Sequence, residues 1–247
     1  MENVTALILA AGEGKRMKSD KAKVLHQVCG KPMIEWVYQA ARDAGVGKCV
    51  LIVGHRAEQV IEYMGARAEY VMQEQRLGTG HAVQQARSYM QDEGYILILY
   101  GDTPLITSGT IKKAMECIKN EKADAVVISA DLEDPAGYGR IVRDSGGSFK
   151  RIVEHRDASP AEKKIKEINS GMYIFSAREL ADALQLLKND NDQGEYYLTD
   201  TLEIMLSKGL TVTVYKAQDS DEVLGANDRE QLARIESILA RRLEKAW

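Results

Sequence analysis

The sequence predicts an α/β fold, a three-layer doubly wound domain with a mainly parallel sheet and a small antiparallel insertion. Short apolar runs alternate with helical patterns through the first half of the chain, as in parallel sheets with helical crossovers. Several runs, such as residues 96–99, are apolar throughout, as expected of strands covered on both faces. From residue 139 onward the runs are longer and partly amphipathic, which is typical of antiparallel strands.

Each predicted element follows from its local pattern. Aliphatic runs predict strands at residues 4–9, 49–53, 68–72, 95–100 and 125–130, and helical spacing predicts helices at 34–44, 57–64, 80–90 and 108–120. Strands at 139–143, 149–154 and 168–175, interrupted by Gly146 and Gly147, form the predicted insertion and could build one wall of a cleft. A charged loop or short helix at 155–167, helices at 177–187 and 198–208, and a strand at 212–216 complete this half.

A last helix is predicted at residues 228–245, and it carries a single apolar stripe formed by Leu232, Ile235, Ile238, Leu239 and Leu243. Such a stripe packs on its own domain or belongs to a linker that leads to another domain. We therefore divide the chain into a main domain, residues 1–227, and a C-terminal linker-type helix, residues 228–247.

Composition excludes several classes of protein. The 247 residues are 45% hydrophobic and 28% charged, as in ordinary globular domains. A net charge of -4 argues against a general nucleic-acid binder. No apolar run approaches the ~20 residues that a membrane span needs, so no membrane partner is expected. The first residues lack a signal-peptide pattern, and three well-separated cysteines indicate reduced thiols in a cytoplasmic protein.

The segment after the first strand is the most informative part of the chain, and it reads Leu9-Ala10-Ala11-Gly12-Glu13-Gly14-Lys15-Arg16-Met17. Small residues and cations here favour a polyanionic ligand such as a nucleoside triphosphate. It is not a Walker A loop, since Arg16 follows Gly14-Lys15, nor a dinucleotide fingerprint, since Met17 takes the place of the third glycine. A strand-to-loop turn with a solvated basic face is the alternative.

Two oxygen-bearing side chains are candidate ligands of Mg²⁺. Asp102 follows a buried strand and Gly101, at the edge of the sheet where ligands of doubly wound folds bind. It could also be an ordinary turn or capping aspartate. Asn227 precedes the last helix, where the pattern by itself favours an N-cap and does not separate it from Asp228.

Two further segments carry groups suited to recognising a base and a sugar. Gln73, Gly78 and Thr79 could read a base edge, although a helix-start loop capped by Thr79 explains them too; His81 is interpreted as structural, not as a general base. In the second half, Gly137 and Gly139, Glu154 and Asn169 offer a glycine gap, a carboxylate and an amide. These suit sugar hydroxyls, whereas hairpin turns explain the glycines equally well.

The motifs in order resemble those of bacterial N-acetylglucosamine-1-phosphate uridylyltransferases, specifically the N-terminal domain of the bifunctional enzyme that also acetylates glucosamine-1-phosphate. The resemblance runs from residue 4 to about residue 229. It rests on Leu9-Ala10-Ala11-Gly12, Arg16-Met17, Lys23-Val24-Leu25-His26, Gln73, Leu77-Gly78-Thr79-Gly80-His81, Tyr100-Gly101-Asp102, Gly137-Tyr138-Gly139-Arg140, Ile152-Val153-Glu154-His155, Glu167-Ile168-Asn169, Gly194-Glu195-Tyr196-Tyr197 and Thr199-Asp200.

The resemblance implies a Rossmann-like nucleotide-diphospho-sugar transferase domain over residues 1–227. It implies transfer of uridylyl from UTP to N-acetylglucosamine-1-phosphate, which gives UDP-N-acetylglucosamine and pyrophosphate for peptidoglycan and lipopolysaccharide precursors. It assigns catalysis to Arg16 and Lys23 and Mg²⁺ binding to Asp102 and Asn227. The nucleotide falls to Leu9, Ala10, Ala11, Gly12, Gln73, Gly78 and Thr79, and the sugar to Tyr100, Gly101, Gly139, Glu154 and Asn169.

Two departures from the family pattern stand out. Ala22 replaces the proline that usually precedes the catalytic lysine, which leaves this loop freer. The family's acetyltransferase half is a β-helix of hexapeptide repeats, and no such repeat precedes Trp247. The resemblance therefore implies a trimer only where that half is present, and another homo-oligomer stays open. Guanylyl or thymidylyl transfer, a non-catalytic nucleotide-sugar sensor, and an interaction module built on the last helix are the alternative functions.

Overall fold

The computed structural model describes residues 3–90, 93–191 and 193–245. Its strands are β1 (Val4–Ala10), β2 (Gln27–Val28), β3 (Lys31–Pro32), β4 (Lys48–Val53), β5 (Glu69–Met72), β6 (Tyr95–Tyr100), β7 (Ala125–Asp131), β8 (Arg140–Arg143), β9 (Phe149–Val153), β10 (Glu167–Ser176) and β11 (Val212–Lys216). Its α-helices are α1 (Met33–Asp43), α2 (Ala57–Met64), α3 (Thr79–Gln85), α4 (Ser108–Asn120), α5 (Ala177–Leu184), α6 (Asp200–Ser207) and α7 (Arg229–Glu244).

The main sheet has the order β11-β7-β10-β6-β1-β4-β5. The pairs β1–β4, β1–β6, β4–β5 and β7–β11 are parallel, so the carboxyl ends of β1 and β6 lie at the same edge. Strand β10 runs antiparallel to both of its neighbours, β6 and β7. The predicted fold, a mainly parallel sheet with an antiparallel insertion, is confirmed.

Strand β10 belongs to the main sheet and to the insertion at once. Its end pairs with β6 and β7, whereas its beginning also pairs with β8 through Ile168 and Arg140, and β8 pairs with β9. The register shifts between Asn169 and Tyr173, where the strand changes from one set of neighbours to the other. The sequence predicts the strand but not this double pairing, because both roles require the same apolar pattern.

Alternate residues of the strands face two cores, as the period of two requires. Ala6 and Ile8 of β1 pack in the core that α1, α2 and α4 cover. Leu7 packs in the opposite core, which α3, α5 and α6 cover. The helices thus form the two outer layers of the predicted three-layer arrangement.

Helix α7 packs on the main domain through a third, smaller core. Ile235, Ile238 and Leu239 lie against Val28, Met33, Leu105 and Leu224. Val28 lies on the β2–β3 hairpin, whose turn residues Cys29 and Gly30 both have positive φ, as a type I′ turn requires. The helix predicted at residues 228–245 is observed at Arg229–Glu244, and residues 246 and 247 lie outside the described residues.

Some predicted boundaries differ from the structure. The helix predicted at residues 80–90 ends at Gln85 and tightens into a 3₁₀ turn, Arg87–Tyr89. That turn buries none of its residues, so a longer helix would gain no core contact there. In the described parts of the chain, no helix combines the length and apolar character that crossing a membrane requires.

Candidate active site

A cleft opens at the carboxyl edge of β1 and β6. It has two parts, a first cavity of about 640 Å³ beside the segment after β1, and a second cavity of about 700 Å³ beside β10. Thr79, Tyr100, Gly137 and Glu195 line both, so the two cavities lie next to each other. The cleft therefore has room for a ligand with two distinct ends.

The structure gathers almost all of the predicted site residues around this cleft. The first cavity is lined by Leu9, Ala10, Ala11, Gly12, Arg16, Lys23, Gln73, Gly78, Thr79, Tyr100, Asp102 and Asn227. Tyr100, Glu154 and Asn169 line the second. The remaining two, Gly101 and Gly139, are buried behind the walls, where the Gly101 N–H donates to the Leu9 carbonyl and the Gly139 carbonyl accepts from the Asn169 N–H, both at 2.9 Å.

The loop after β1 is compact because Gly14 lacks a side chain. Gly14 has φ of 64°, and a Cβ there would lie 2.7 Å from the Cβ of Lys23. Close packing of the loop against Lys23 thus requires glycine on two counts. The 3₁₀ turn Lys15–Met17 follows, and its Met17 is buried and anchors the loop. Arg16, between these two points, faces the first cavity.

Glu13 is an acidic residue within this basic loop, and its charge is neutralised locally. Its carboxylate pairs with Lys15 Nζ at 2.7 Å and also with Arg76. The hydrogen bond from Lys15 lowers the pKa of Glu13 below its usual range. Arg76 lines the first cavity and was not singled out by the sequence, although its place between Gln73 and Gly78 could have drawn attention to it.

Lys23, Asp102 and Asn227 meet at the floor of the first cavity. The Lys23 ammonium contacts Asp102 Oδ2 and donates to Asn227 Oδ1 at 2.8 Å. The Ala226 N–H donates to the Asp102 carbonyl at 3.0 Å, which fixes the segment before α7 against the end of β6. Two oxygens from distant parts of the sequence therefore converge on one cation.

The capping alternatives for these residues are wrong. Thr107 caps α4, since its side chain accepts from the Thr110 N–H, and Asp102 does not take that place. Asp228 caps α7 by accepting from the Gln231 N–H, so the side chain of Asn227 is free to face the cleft. Thr79 is not the N-cap of α3; its hydroxyl accepts from the Leu198 N–H at 3.2 Å.

The oxygens of Asp102 and Asn227 suit a divalent cation. Both are hard oxygen ligands, and together they already bind one cation, the Lys23 ammonium. Within the described residues no cluster of three His, Cys, Asp or Glu side chains could hold a metal ion. A cation here would therefore complete its coordination with substrate oxygens and water, as Mg²⁺ commonly does.

The segment after β5 folds tightly against the start of α3. Gln73 is buried, and its Nε2 donates to the Gly78 carbonyl at 3.1 Å. Gly78 has φ of 107°, and a Cβ there would lie 2.5 Å from the Tyr196 carbonyl oxygen. The ring of His81 contacts the side-chain amides of Gln73 and Gln85 at 3.3 and 3.1 Å, which fits a structural residue.

Glu154, Asn169 and Gly139 lie together at the second cavity. A Cβ on Gly139 would lie 3.0 Å from Ile152 Cγ2, which is tight, and 3.4 Å from Glu154 Oε1, which is ordinary contact. Burial, together with the negative charges of Asp157 and Asp200, raises the pKa of Glu154. Asn169 Nδ2 donates to the Tyr173 hydroxyl at 2.8 Å. Tyr173 was not singled out by the sequence, where its only signal is its place four residues after Asn169 on one strand.

Comparison with known proteins places the chain among nucleotide-handling proteins. Residues 6–204 match the family model of the MobA-like NTP transferase domain. The chain is 54% identical over 246 residues to the bifunctional protein GlmU of Acetivibrio thermocellus, and 48% identical over 245 residues to that of Caldanaerobacter subterraneus subsp. tengcongensis. Each alignment covers 99% of this chain and 53% of the relative, so the chain spans about half the length of these curated relatives.

A solved structure has the same fold. A Bacillus anthracis protein assigned as a glucose-1-phosphate thymidylyltransferase, crystallised with sucrose, superposes with a TM-score of 0.76 at 20% identity. The superposition covers 95% of this chain and 94% of that protein. At this level of identity the likeness concerns the fold alone.

Proposed function

The chain belongs to the MobA-like NTP transferase domain family, and from that premise we propose that it transfers uridylyl from UTP to N-acetylglucosamine-1-phosphate. The products are UDP-N-acetylglucosamine and pyrophosphate. The observation that carries the proposal is the meeting of Lys23, Asp102 and Asn227 in a cleft whose second cavity holds Glu154 and Asn169. The relatives named GlmU and the ordered motifs support the choice of substrates.

The nucleoside end of UTP is assigned to the part of the first cavity that Gln73, Gly78 and Thr79 line. Gln73, Gly78 and Thr79 offer amide and backbone groups that can pair with a base edge. Leu9, Ala10, Ala11 and Gly12 line the same cavity, and the two alanines and the glycine allow a ligand to approach the backbone closely. Because Gln73 is already held by the Gly78 carbonyl, its orientation is set before the base arrives.

The phosphates are assigned to Arg16 and Lys23. A phosphate oxygen of the sugar phosphate attacks the α-phosphorus of UTP; a new P–O bond forms as the bond to the bridging oxygen breaks, and pyrophosphate leaves with that electron pair. No covalent protein nucleophile is needed for this displacement. Arg16 and Lys23 act by placing positive charge where negative charge develops, and the cleft acts by holding the two reactants in line.

We assign Mg²⁺ binding to Asp102 and Asn227, because their oxygens are suited to a hard cation. When bound, the ion would neutralise phosphate charge and orient the phosphate oxygens. Lys23 contributes a second positive charge at the same place. Asp102 and Lys23 are 16% and 13% exposed, so water screens these charges only weakly.

The sugar is assigned to the second cavity, where Glu154 and Asn169 offer an acceptor and an amide and Gly139 lies beside the carboxylate. Gly101 fixes the end of β6 to β1 and thereby positions Tyr100 between the cavities.

We further propose a cytoplasmic location, no nucleic-acid or membrane partner, and residues 228–247 as a linker-type helix beyond a domain of residues 1–227. A homo-oligomer is open, and a trimer is proposed only where an acetyltransferase half is present.

The proposal is tested by offering UTP, GTP, dTTP and CTP separately, each with N-acetylglucosamine-1-phosphate and Mg²⁺, and by measuring pyrophosphate release. UTP is expected to give the highest rate, and Asp102→Asn is the control for contaminating activity. A higher rate with GTP or dTTP would instead indicate guanylyl or thymidylyl transfer. Binding of UDP-N-acetylglucosamine without any pyrophosphate release would indicate a sensor.

A further inference from the structure

Tyr173 is a buried polar side chain that has no role in the proposed reaction. It lies on β10 with 1% of its surface exposed, yet it lines the second cavity. Its ring packs in the core that α3, α5 and α6 cover, with 5.5 Å between its centroid and that of Phe175. The ring thus anchors the residue in the core, and its hydroxyl contacts Asn169, which lines the same cavity.

The hydrogen bonds of Asn169 fix the role of the Tyr173 oxygen. Asn169 Oδ1 accepts from the Gly171 N–H at 3.0 Å, so Nδ2 is the atom that faces Tyr173 and donates to it at 2.8 Å. The phenol oxygen is therefore an acceptor in this contact, and its own proton needs a different partner. None of the residues that the structure describes accepts that proton.

The hydroxyl keeps its proton at any working pH. Burial and the neighbouring Tyr100 and Glu154 raise the pKa of Tyr173 well above its usual value. A neutral, permanently protonated donor at the wall of a cavity is suited to an uncharged acceptor such as a sugar hydroxyl or an amide carbonyl. A buried donor left without an acceptor is costly, and a bound ligand could remove that cost.

We propose that the Tyr173 hydroxyl binds the sugar directly, donating its proton to an uncharged oxygen of the sugar while it accepts from Asn169. This inference rests on the proposed function, because it takes the second cavity to be the sugar site. It adds a specificity-determining residue: a sugar without an oxygen at that point leaves the buried donor unpaired.

The test compares wild type with Tyr173→Phe, which keeps the ring in the core and removes only the hydroxyl. Calorimetry measures the affinity for UDP-N-acetylglucosamine and, separately, for UTP. The expected result is a loss of roughly tenfold for the nucleotide sugar, the size of one hydrogen bond, with UTP affinity unchanged. Tyr215→Phe is the matched control, since it removes another buried phenol oxygen, which lies on β11 and outside the lining of both cavities. It should change neither affinity.

A second comparison separates direct contact from support of Asn169. In an Asn169→Ala background, the additional change Tyr173→Phe should still weaken UDP-N-acetylglucosamine binding; no further loss would mean that Tyr173 acts only through Asn169 and would overturn the inference. An unchanged affinity in the single variant would overturn it too, while leaving the proposed function intact. Failure of the wild type to bind UDP-N-acetylglucosamine would overturn both together.

Discussion

At the residue scale, Lys23 is both a proposed catalytic residue and a contact that holds remote segments of the chain together. It contacts Asp102, 79 positions away, and Asn227, 204 positions away, so three remote segments meet at a single ammonium. In the absence of phosphates this cation balances the Asp102 carboxylate and keeps the floor of the cleft neutral. The same charge would be available to the phosphates of the proposed substrates.

Replacing either partner should therefore affect turnover. Lys23→Ala and Asp102→Ala are each expected to lower turnover roughly 10²-fold or more, the size typical of losing one electrostatic contact in a transition state. Steady-state rates of pyrophosphate release measure this. Lys21→Ala, which removes an exposed cation of the same basic segment, is the control and should stay close to wild type. Near wild-type turnover in either of the first two variants would contradict their assigned roles.

Residues that directly follow a strand could be predicted as site residues, and those defined by contacts across the cleft could not. Asp102 and the Leu9–Gly12 segment were identifiable because the carboxyl ends of parallel strands share one edge. Arg76 is identified by its ion pair with Glu13, and Tyr173 by the hydrogen bond it accepts from Asn169, and neither contact leaves a pattern in the sequence. The choice between Asn227 and Asp228 likewise depended on which of the two capped α7.

At the element scale, substitutions in α7 show whether this last helix contributes to the stability of the domain. Ile235 is 1% exposed in the third core, so Ile235→Ala is expected to lower the free energy of unfolding by about 2–5 kcal/mol. Leu243 lies on the same helix and is 36% exposed, so Leu243→Ala should cost far less. Urea unfolding midpoints measure both. Equal small losses would mean that the helix contributes little to the stability of the domain.

Helix α6 begins at Asp200, whose burial raises its pKa from 3.8 to about 6. A carboxyl group with a raised pKa stabilises the fold below its unfolded-state pKa, and that contribution is lost as the pH rises through about 6. Asp200→Asn does not titrate there. The stability of this variant relative to wild type is therefore expected to increase between about pH 4 and pH 6.

Thermal unfolding measures this difference, which should amount to a few degrees at pH 7.5 after allowance for partial exposure. The two proteins should converge at pH 4. A wild type more stable than the variant at pH 7.5 would mean that the favourable position of the anion at the first turn of α6 outweighs the cost of its burial.

The long, periodic elements were predictable, and the short or shared ones were not. The β2–β3 hairpin has only two residues in each strand, too few for any alternation to be detected. The double pairing of β10 depends on a register shift between Asn169 and Tyr173, which backbone contacts determine and composition does not. The hairpin packs against α7, and the shifted part of β10 lines the second cavity. The elements that the sequence did not predict therefore include a wall of the cleft.

At the scale of the whole molecule, one sheet supports both halves of the cleft. The parallel strands β1 and β6 bring the Leu9–Gly12 segment and Asp102 to one edge, and the antiparallel β10 places Asn169 beside them. A substrate that spans both cavities would therefore have its reacting phosphates near Tyr100 and Thr79, where the two cavities join. We therefore expect one bound substrate to occupy both cavities.

A crystal structure with UDP-N-acetylglucosamine and Mg²⁺ tests that claim most directly. The expected density places uracil against Gln73, Gly78 and Thr79, the diphosphate beside Arg16 and Lys23, and the sugar against Glu154 and Asn169. The metal should lie between Asp102 and Asn227, with Lys23 moved toward phosphate. Density for the sugar outside the second cavity, or for a metal away from these two oxygens, would contradict the account.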